Sequence, residues 1–130
     1  MSEKDKLDRI FSEYIRLRDS DENGYCKCIS SGKIEHWTKM DCGHFINRKH
    51  MSLRYNEINC NAQSRQDNRF DEGNMEGYRM GLIAKHGEGI IEKLYAMKNQ
   101  PNKISKVEYG IAIRHYSQEV ERLKREKGIK

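Results

Sequence analysis

The spacing of apolar residues divides the chain into three stretches, and the first of them has a helical period. Its apolar side chains recur every three or four residues, at Leu7, Ile10, Phe11, Tyr14 and Ile15. This spacing predicts an amphipathic helix over residues 3–19. The polar run 19–24, which ends in Asn-Gly, predicts the turn that follows.

The second stretch, from about 25 to 70, has no helical period and is rich in Cys, His and Asn. Short β-like pieces at 25–30 and 34–39 are joined by Ser-Gly-Lys, which predicts a hairpin. A further extended piece, 40–46, contains Gly43. Because this stretch has few apolar residues, a bound metal ion is one candidate for what organises it.

The third stretch is helical. One helix is predicted to end at Gly87, a second covers residues 90–97 before Pro101, and the pair Ser105 and Glu108 predicts a capping box for a third. The third helix then carries an apolar seam at Tyr109, Ile113, Tyr116, Val120 and Leu123. We predict that this seam packs on the N-terminal helix or the domain body, with a dimer seam as the alternative.

The charge balance favours a polyanionic partner. The 130 residues contain 25 Lys and Arg against 20 Asp and Glu, a net charge of +5, and are 35% hydrophobic and 35% charged. A basic protein of this size suits nucleic acid, although a solvated basic surface without such a partner would give the same count.

The chain has no apolar run approaching the roughly 20 residues of a membrane helix. Its first residues alternate acids and bases and lack the apolar segment of a signal peptide. We therefore predict a cytoplasmic protein with no membrane partner. The four cysteines are expected to be reduced thiols in that compartment.

The segment 41–68 contains the residue types that phosphodiester cleavage requires. A neutral histidine can accept a proton from water near pH 7. Carboxylate and amide oxygens can hold a hard divalent cation, and arginines can hold the strand. A lone histidine such as His44 is more often structural or exposed than catalytic. Asp41, Asn59 and Asn68 taken singly could be ordinary loop residues, so only their ordered combination is specific.

That ordered combination resembles the NinG family of phage recombination proteins, whose lambda member is also called Rap. The resemblance covers roughly residues 7–95 and rests on YIRLRD (14–19), DENGYCKCI (21–29), DCGHFINR (41–48), RYNEINCNAQ (54–63) and NRF (68–70). Through this family the chain is similar to HNH nucleases with a ββα-metal core. The implied fold is α+β: an N-terminal helix and turn (1–24), a ββα-metal core (25–75) and a helical C-terminal extension (76–130), in one domain.

The resemblance implies a role for each matching residue. His44 would be the general base, Asp41 and Asn68 the ligands of a catalytic Mg²⁺ or Mn²⁺, and Asn59 the residue that ties the catalytic loop together. The expected phosphate contacts are Arg48, Lys49, Arg54, Arg65 and Arg69.

One feature departs from the usual HNH order, in which the metal ligand directly precedes the base. Here that neighbour is Gly43, and on a regular strand Asp41 and His44 would point to opposite faces. We therefore expect a bend at Gly43. The alternatives are that His44 is itself a metal ligand and that His50 is the base.

The chain also departs from the family at a structural zinc site made of two C-x-x-C pairs. The matching positions are Cys28, Ser31, Ser64 and Asp67, which retain one thiolate. Serine is a poor zinc ligand, so no structural zinc is expected. Hydrogen bonds among Ser31, Ser64 and Asp67 would then hold the same knuckle.

The activity implied is metal-dependent endonucleolytic cleavage of branched recombination intermediates, such as Holliday junctions or D-loops, leaving 5′-phosphate and 3′-hydroxyl ends. A two-fold homodimer is compatible with the two strands of a junction, and phage or host recombination proteins are expected partners. If phage-encoded, the protein would act in the host cytoplasm. The rival interpretations are a non-catalytic branched-DNA-binding accessory protein and a basic helical adaptor that binds protein.

Overall fold

The computed structural model describes all residues from 1 to 130 and has an α+β fold, which confirms the predicted class. A short 3₁₀ turn, Trp37–Lys39, precedes the third strand. In chain order the elements are α1 (Glu3–Arg18), β1 (Tyr25–Lys27), β2 (Ile34–His36), β3 (Met40–His44), α2 (Met51–Arg54), β4 (Cys60–Ser64), α3 (Arg65–Phe70), α4 (Met75–His86), α5 (Ile90–Met97) and α6 (Lys106–Lys127).

Local capping explains where the long helices begin and end. The Ser2 hydroxyl accepts a hydrogen bond from the backbone N–H of Asp5 at the start of α1. At the start of α6, Ser105 and Glu108 form the predicted capping box. Gly87, with a φ of 92°, ends α4 as predicted.

Two antiparallel hairpins form the β structure. The predicted pairing of β1 with β2 is present, with Cys26 opposite Glu35. The strands β3 and β4 form the second hairpin, in which Asp41 lies opposite Gln63 and His44 lies opposite Cys60. Two short helices, α2 and α3, also lie in this stretch, although its apolar residues show no helical period.

Two apolar clusters hold the elements together. The larger one packs α1 against α6 and both hairpins, and it includes Phe11, Ile15, Val120 and Leu123. The smaller one lies among α2, α4 and α5. The seam of α6 therefore packs on α1, as predicted.

The order β3–β4–α3 positions the residues discussed below. The helix α3 begins directly after β4, and the Ser64 hydroxyl caps it by accepting from the backbone N–H of Asp67. None of the helices combines the length and the apolar character needed to cross a membrane.

Candidate functional site

Asp41 and Asn68 meet where α3 lies beside β3. The Asn68 side-chain amide donates to Asp41 Oδ2 at 2.9 Å, although the residues are 27 positions apart in sequence. The β3–β4 register brings Asp41 beside the end of β4, and Asn68 then lies about one helical turn into α3. The structure thus brings together the two residues that the resemblance paired.

Two guanidinium groups neutralise the Asp41 carboxylate. Arg69 donates to both carboxylate oxygens at 2.9 Å, and Arg65 Nε lies 3.6 Å away. Burial alone would raise the pKa of Asp41, but the hydrogen bonds from Arg69 and Asn68 outweigh it and lower the pKa. The carboxylate is therefore ionised at neutral pH and has strong local cationic partners.

The His44 ring is held by the backbone. Its Nε2 lies 2.9 Å from the carbonyl oxygen of Arg54. Because a carbonyl can only accept, Nε2 carries the hydrogen and Nδ1 keeps a free lone pair. Burial lowers the pKa of His44, so the imidazole is neutral at pH 7 and can accept a proton.

Asp41, His44 and Asn68 line one cavity of about 490 Å³. Residues of the following loop, including Arg48, complete one wall. Three residues of α1 that no sequence motif indicated also line the cavity, namely Asp8, Phe11 and Ser12.

The bend predicted at Gly43 was wrong. The pairing of β3 with β4 continues through Gly43, which lies opposite Asn61, so Asp41 and His44 point to opposite faces of the hairpin. Both can border one cavity because β3 pairs only with β4 and its other edge has no partner strand.

Gly43 has a different role, which is to leave room for Gln63. A Cβ at position 43 would overlap the side-chain oxygen of Gln63. That side chain crosses the hairpin and donates to the carbonyl oxygen of Gly73 at 2.6 Å and to the Ser30 hydroxyl at 2.9 Å. The glycine therefore allows a polar crosslink between β4 and two loops.

Asn59 holds the loop between β3 and β4 by hydrogen bonds. Its side chain is fully buried, accepts from the backbone N–H of Ile46 at 2.8 Å, and donates to the carbonyl oxygens of Ile46 and Leu53. These bonds connect the end of β3 to the start of β4 across a loop with little secondary structure. Asn59 therefore positions the segment that carries Arg48.

The proposed phosphate-binding residues do not share one environment. Arg48 and Lys49 are exposed. Arg54 is buried, because its guanidinium forms a two-point ion pair with Asp8 at 2.9 and 2.6 Å. Arg54 lines the cavity, but this ion pair occupies its guanidinium and makes it a structural link between α1 and the cavity wall.

His50, the alternative base, lies at the N-terminus of α2 and is not among the residues that line the cavity. Its side chain makes no capping hydrogen bond there. The geometry therefore favours His44 over His50 as the group that faces a ligand in the cavity.

The four zinc-knuckle positions come together through hydrogen bonds. Ser64 Oγ donates to Asp67 Oδ2 at 2.7 Å, the Cys28 thiol approaches the same oxygen at 3.3 Å, and the Ser64 N–H donates to Cys28 Sγ. Burial alone would raise the pKa of Asp67, but hydrogen bonds from Ser31, Ser64, Asn74 and Cys28 lower it to about 2. An ionised Asp67 thus holds the knuckle that joins β4 to the β1–β2 hairpin.

Comparison with protein families gives one match. A family model described as bacteriophage lambda NinG protein matches residues 2–126 of the chain. Neither a curated protein nor a solved structure matches it.

Proposed function

Because the chain belongs to the NinG family of phage recombination-related proteins, we propose that it is a metal-dependent endonuclease that nicks branched DNA, such as Holliday junctions or D-loops. The observation that carries this proposal is the contact between Asp41 and Asn68 at 2.9 Å on a cavity that His44 also lines. The strand–strand–helix order of β3, β4 and α3 is also the order of a ββα-metal core.

The side chains of Asp41 and Asn68 fit a hard divalent cation. An ionised carboxylate and an amide oxygen are ligands that Mg²⁺ and Mn²⁺ accept, and Mg²⁺ commonly keeps several waters beside one or two protein oxygens. Asn68 presents its amide nitrogen to Asp41 in the structure. It would offer its oxygen after rotation of the amide, and Arg69 would leave the carboxylate.

The cation would offset charge on the scissile phosphate and on the departing 3′-oxygen. His44 would act as general base, since Nδ1 is free to take a proton from water while Nε2–H stays bound to the carbonyl oxygen of Arg54. That carbonyl would also stabilise the imidazolium that forms. In-line attack by the water would leave a 5′-phosphate and a 3′-hydroxyl.

Basic side chains around the cavity support a nucleic-acid substrate. Arg48 and Lys49 are exposed beside the opening, and Arg65 and Arg69 are about half exposed next to Asp41. Guanidinium groups released from Asp41 would be free to bind phosphate oxygens. Affinity for DNA should therefore fall as salt concentration rises.

The decisive experiment compares nicking of a labelled four-way junction by the wild-type chain and by His44→Ala, in Mg²⁺ and in Mn²⁺. We expect His44→Ala to lose at least about 100-fold in rate, the usual contribution of a general base. His50→Ala is the matched control and should nick at a rate close to that of the wild type. Equal nicking by His44→Ala and the wild type would exclude His44 as the base.

A second candidate is a non-catalytic module that binds branched DNA. The observation that favours it is the engagement of Asp41 by Arg69 and Arg65, which occupies the carboxylate that a metal needs. This candidate predicts tight junction binding without nicking in either metal.

A further inference from the structure

Two cysteines and the proposed base form a second cluster at the β3–β4 hairpin. One potential ligand atom from each of Cys42, His44 and Cys60 lies within 4.8 Å of the other two. In the hairpin register His44 lies directly opposite Cys60, and Cys42 lies two residues before His44. The three side chains therefore share one face, opposite to the face of Asp41.

The donor set of this cluster differs from that of Asp41 and Asn68. Two thiols and an imidazole are the ligands of Zn²⁺ and related thiophilic ions, whereas Mg²⁺ and Mn²⁺ prefer oxygen. All four cysteines are free, so neither thiol is committed to a disulfide. The cluster should therefore discriminate between the two kinds of metal.

The three potential ligand atoms lie about 1 Å further apart than the ligands of a bound zinc ion. Zinc–sulfur bonds of about 2.3 Å and zinc–nitrogen bonds of about 2.0 Å place neighbouring ligand atoms roughly 3.3–3.8 Å apart. The observed upper distance of 4.8 Å means that the side chains need to close by about 1 Å, which small rotations can supply.

An ion can reach this cluster from the cavity. Cys60 is fully buried, but Cys42 and His44 both line the cavity wall. Water or another ligand in the cavity could supply the fourth donor that zinc requires. Two thiolates would balance the charge of a divalent ion, which reduces the cost of holding it in a partly buried site.

We propose that Cys42, His44 and Cys60 form a binding site for Zn²⁺, and that zinc bound there inhibits the protein by taking His44 out of the reaction. The proposed zinc binding rests only on the positions of the three ligands and does not require the proposed function. The inhibition rests on the proposed function, in which His44 is the base. Because Mg²⁺ would bind on the other face of β3, excess Mg²⁺ should not relieve the inhibition.

The binding test uses Co²⁺ as a spectroscopic substitute for zinc, titrated into the reduced full chain. We expect one equivalent to produce thiolate charge-transfer absorption and the intense visible bands of tetrahedral cobalt, and Zn²⁺ to abolish both. Cys42→Ser and Cys60→Ser should each lose this spectrum. Cys26→Ser is the matched control, since Cys26 is also buried but lies outside the cluster, and it should keep the spectrum.

Two results would overturn the site. One is a wild-type chain that gives no thiolate band with cobalt, and the other is a Cys28→Ser variant that loses the band, which would place the metal at the knuckle. If the Cys60→Ser variant does not fold, alkylation of the wild-type chain tests the site instead. Zn²⁺ should protect Cys42 from iodoacetamide, and unchanged labelling of Cys42 would refute the site.

The inhibition is tested by the ratio of nicking rates without and with one equivalent of Zn²⁺, at fixed Mg²⁺. We expect this ratio to exceed about ten in the wild type and to fall towards one in Cys42→Ser. Equal ratios in the wild type and in Cys42→Ser would exclude the inhibitory role. A chain that never nicks a junction would refute the proposed function, while the cobalt spectrum would still decide whether the site exists.

Discussion

At the scale of single residues, Asn59 shows how a polar side chain can replace an apolar core. It satisfies three backbone groups of the loop that follows β3, and none of its own surface is exposed. A buried backbone group left without a partner costs about 1–3 kcal/mol. The loop therefore depends on one amide for its conformation.

Replacing Asn59 by alanine should lower the free energy of unfolding by about 3 kcal/mol, because several buried backbone groups would lose their partner at once. Urea unfolding followed by circular dichroism measures this. Asn47→Ala is the control, since Asn47 is exposed and bonds only to the Lys49 N–H, and it should cost less than about 1 kcal/mol. Similar losses for both variants would contradict the role given to Asn59.

Gly43 is constrained by what lies against it. Gly43→Ala should destabilise the chain by about 1–3 kcal/mol, because the new methyl group would overlap the Gln63 side chain. The same change at Gly110, where nothing lies within 4 Å of an added Cβ, should be neutral or stabilising in mid-helix. Thermal unfolding of both variants tests this. A Gly43→Ala variant as stable as the wild type would show that the hairpin can shift to accommodate the methyl group.

At the scale of elements, the knuckle between β4 and α3 depends on a charge. The Asp67 carboxylate accepts hydrogen bonds from side chains of three separate segments and lies in the first turn of the helix that carries Asn68. Protonation of Asp67 would remove acceptors from those donors, so this junction should respond to pH in the acid range.

The direction of this pH dependence follows from the pKa of Asp67, which is about 2 in the folded chain, below its ordinary value of 3.8. The stabilisation is therefore fully present above about pH 4 and is lost as the pH falls towards 2. The difference between the two pKa values corresponds to about 2 kcal/mol in the free energy of unfolding. We expect Asp67→Asn to flatten the fall in unfolding free energy between pH 4 and pH 2, measured by urea titration at each pH. A slope equal to that of the wild type would assign the acid sensitivity to other carboxylates, such as Asp8 and Asp41.

At the scale of the whole molecule, α1 and α6 are the helices at the two ends of the chain, and they pack together against the β-hairpins. Glu57, in the loop before β4, accepts hydrogen bonds from Tyr14 of α1 at 2.7 Å and from Tyr116 of α6 at 3.0 Å. Lys127 bonds to the carbonyl oxygen of Leu17 at the end of α1. Because α1 also carries Asp8, the position of α6 affects the cavity indirectly.

Shortening a side chain in this interface should therefore destabilise the entire fold. Leu123→Ala should cost about 2–4 kcal/mol, the range for a buried leucine. Ile111→Ala on the same helix is the control, since Ile111 is 64% exposed, and it should change stability by less than about 0.5 kcal/mol. Chemical denaturation of both variants measures this, and a mild effect of Leu123→Ala would mean that α6 packs only loosely.

Local periodicity and capping residues predicted α1, the first hairpin, α4 and α6, because these elements depend on residues close together in sequence. The elements that apolar periodicity did not predict, β4 and α3, are polar, although the resemblance to a ββα-metal core implied a helix there. All five positions of β4 are buried, including Asn61 and Gln63, so no alternation of apolar and polar residues marks the strand. Its burial depends on hydrogen bonds to distant segments, which periodicity cannot reveal.

For the candidate site, the sequence by itself determined the residue types and their family, since the order of Asp41, His44, Asn59 and Asn68 is a property of the chain alone. Only the tertiary structure decided which of them meet and which basic groups remain free. Asp8 holds Arg54 from 46 positions away, and Arg69 holds Asp41 from 28. The physical reason is that an ion pair depends on distance in space, and folding brings together charges that the sequence keeps apart.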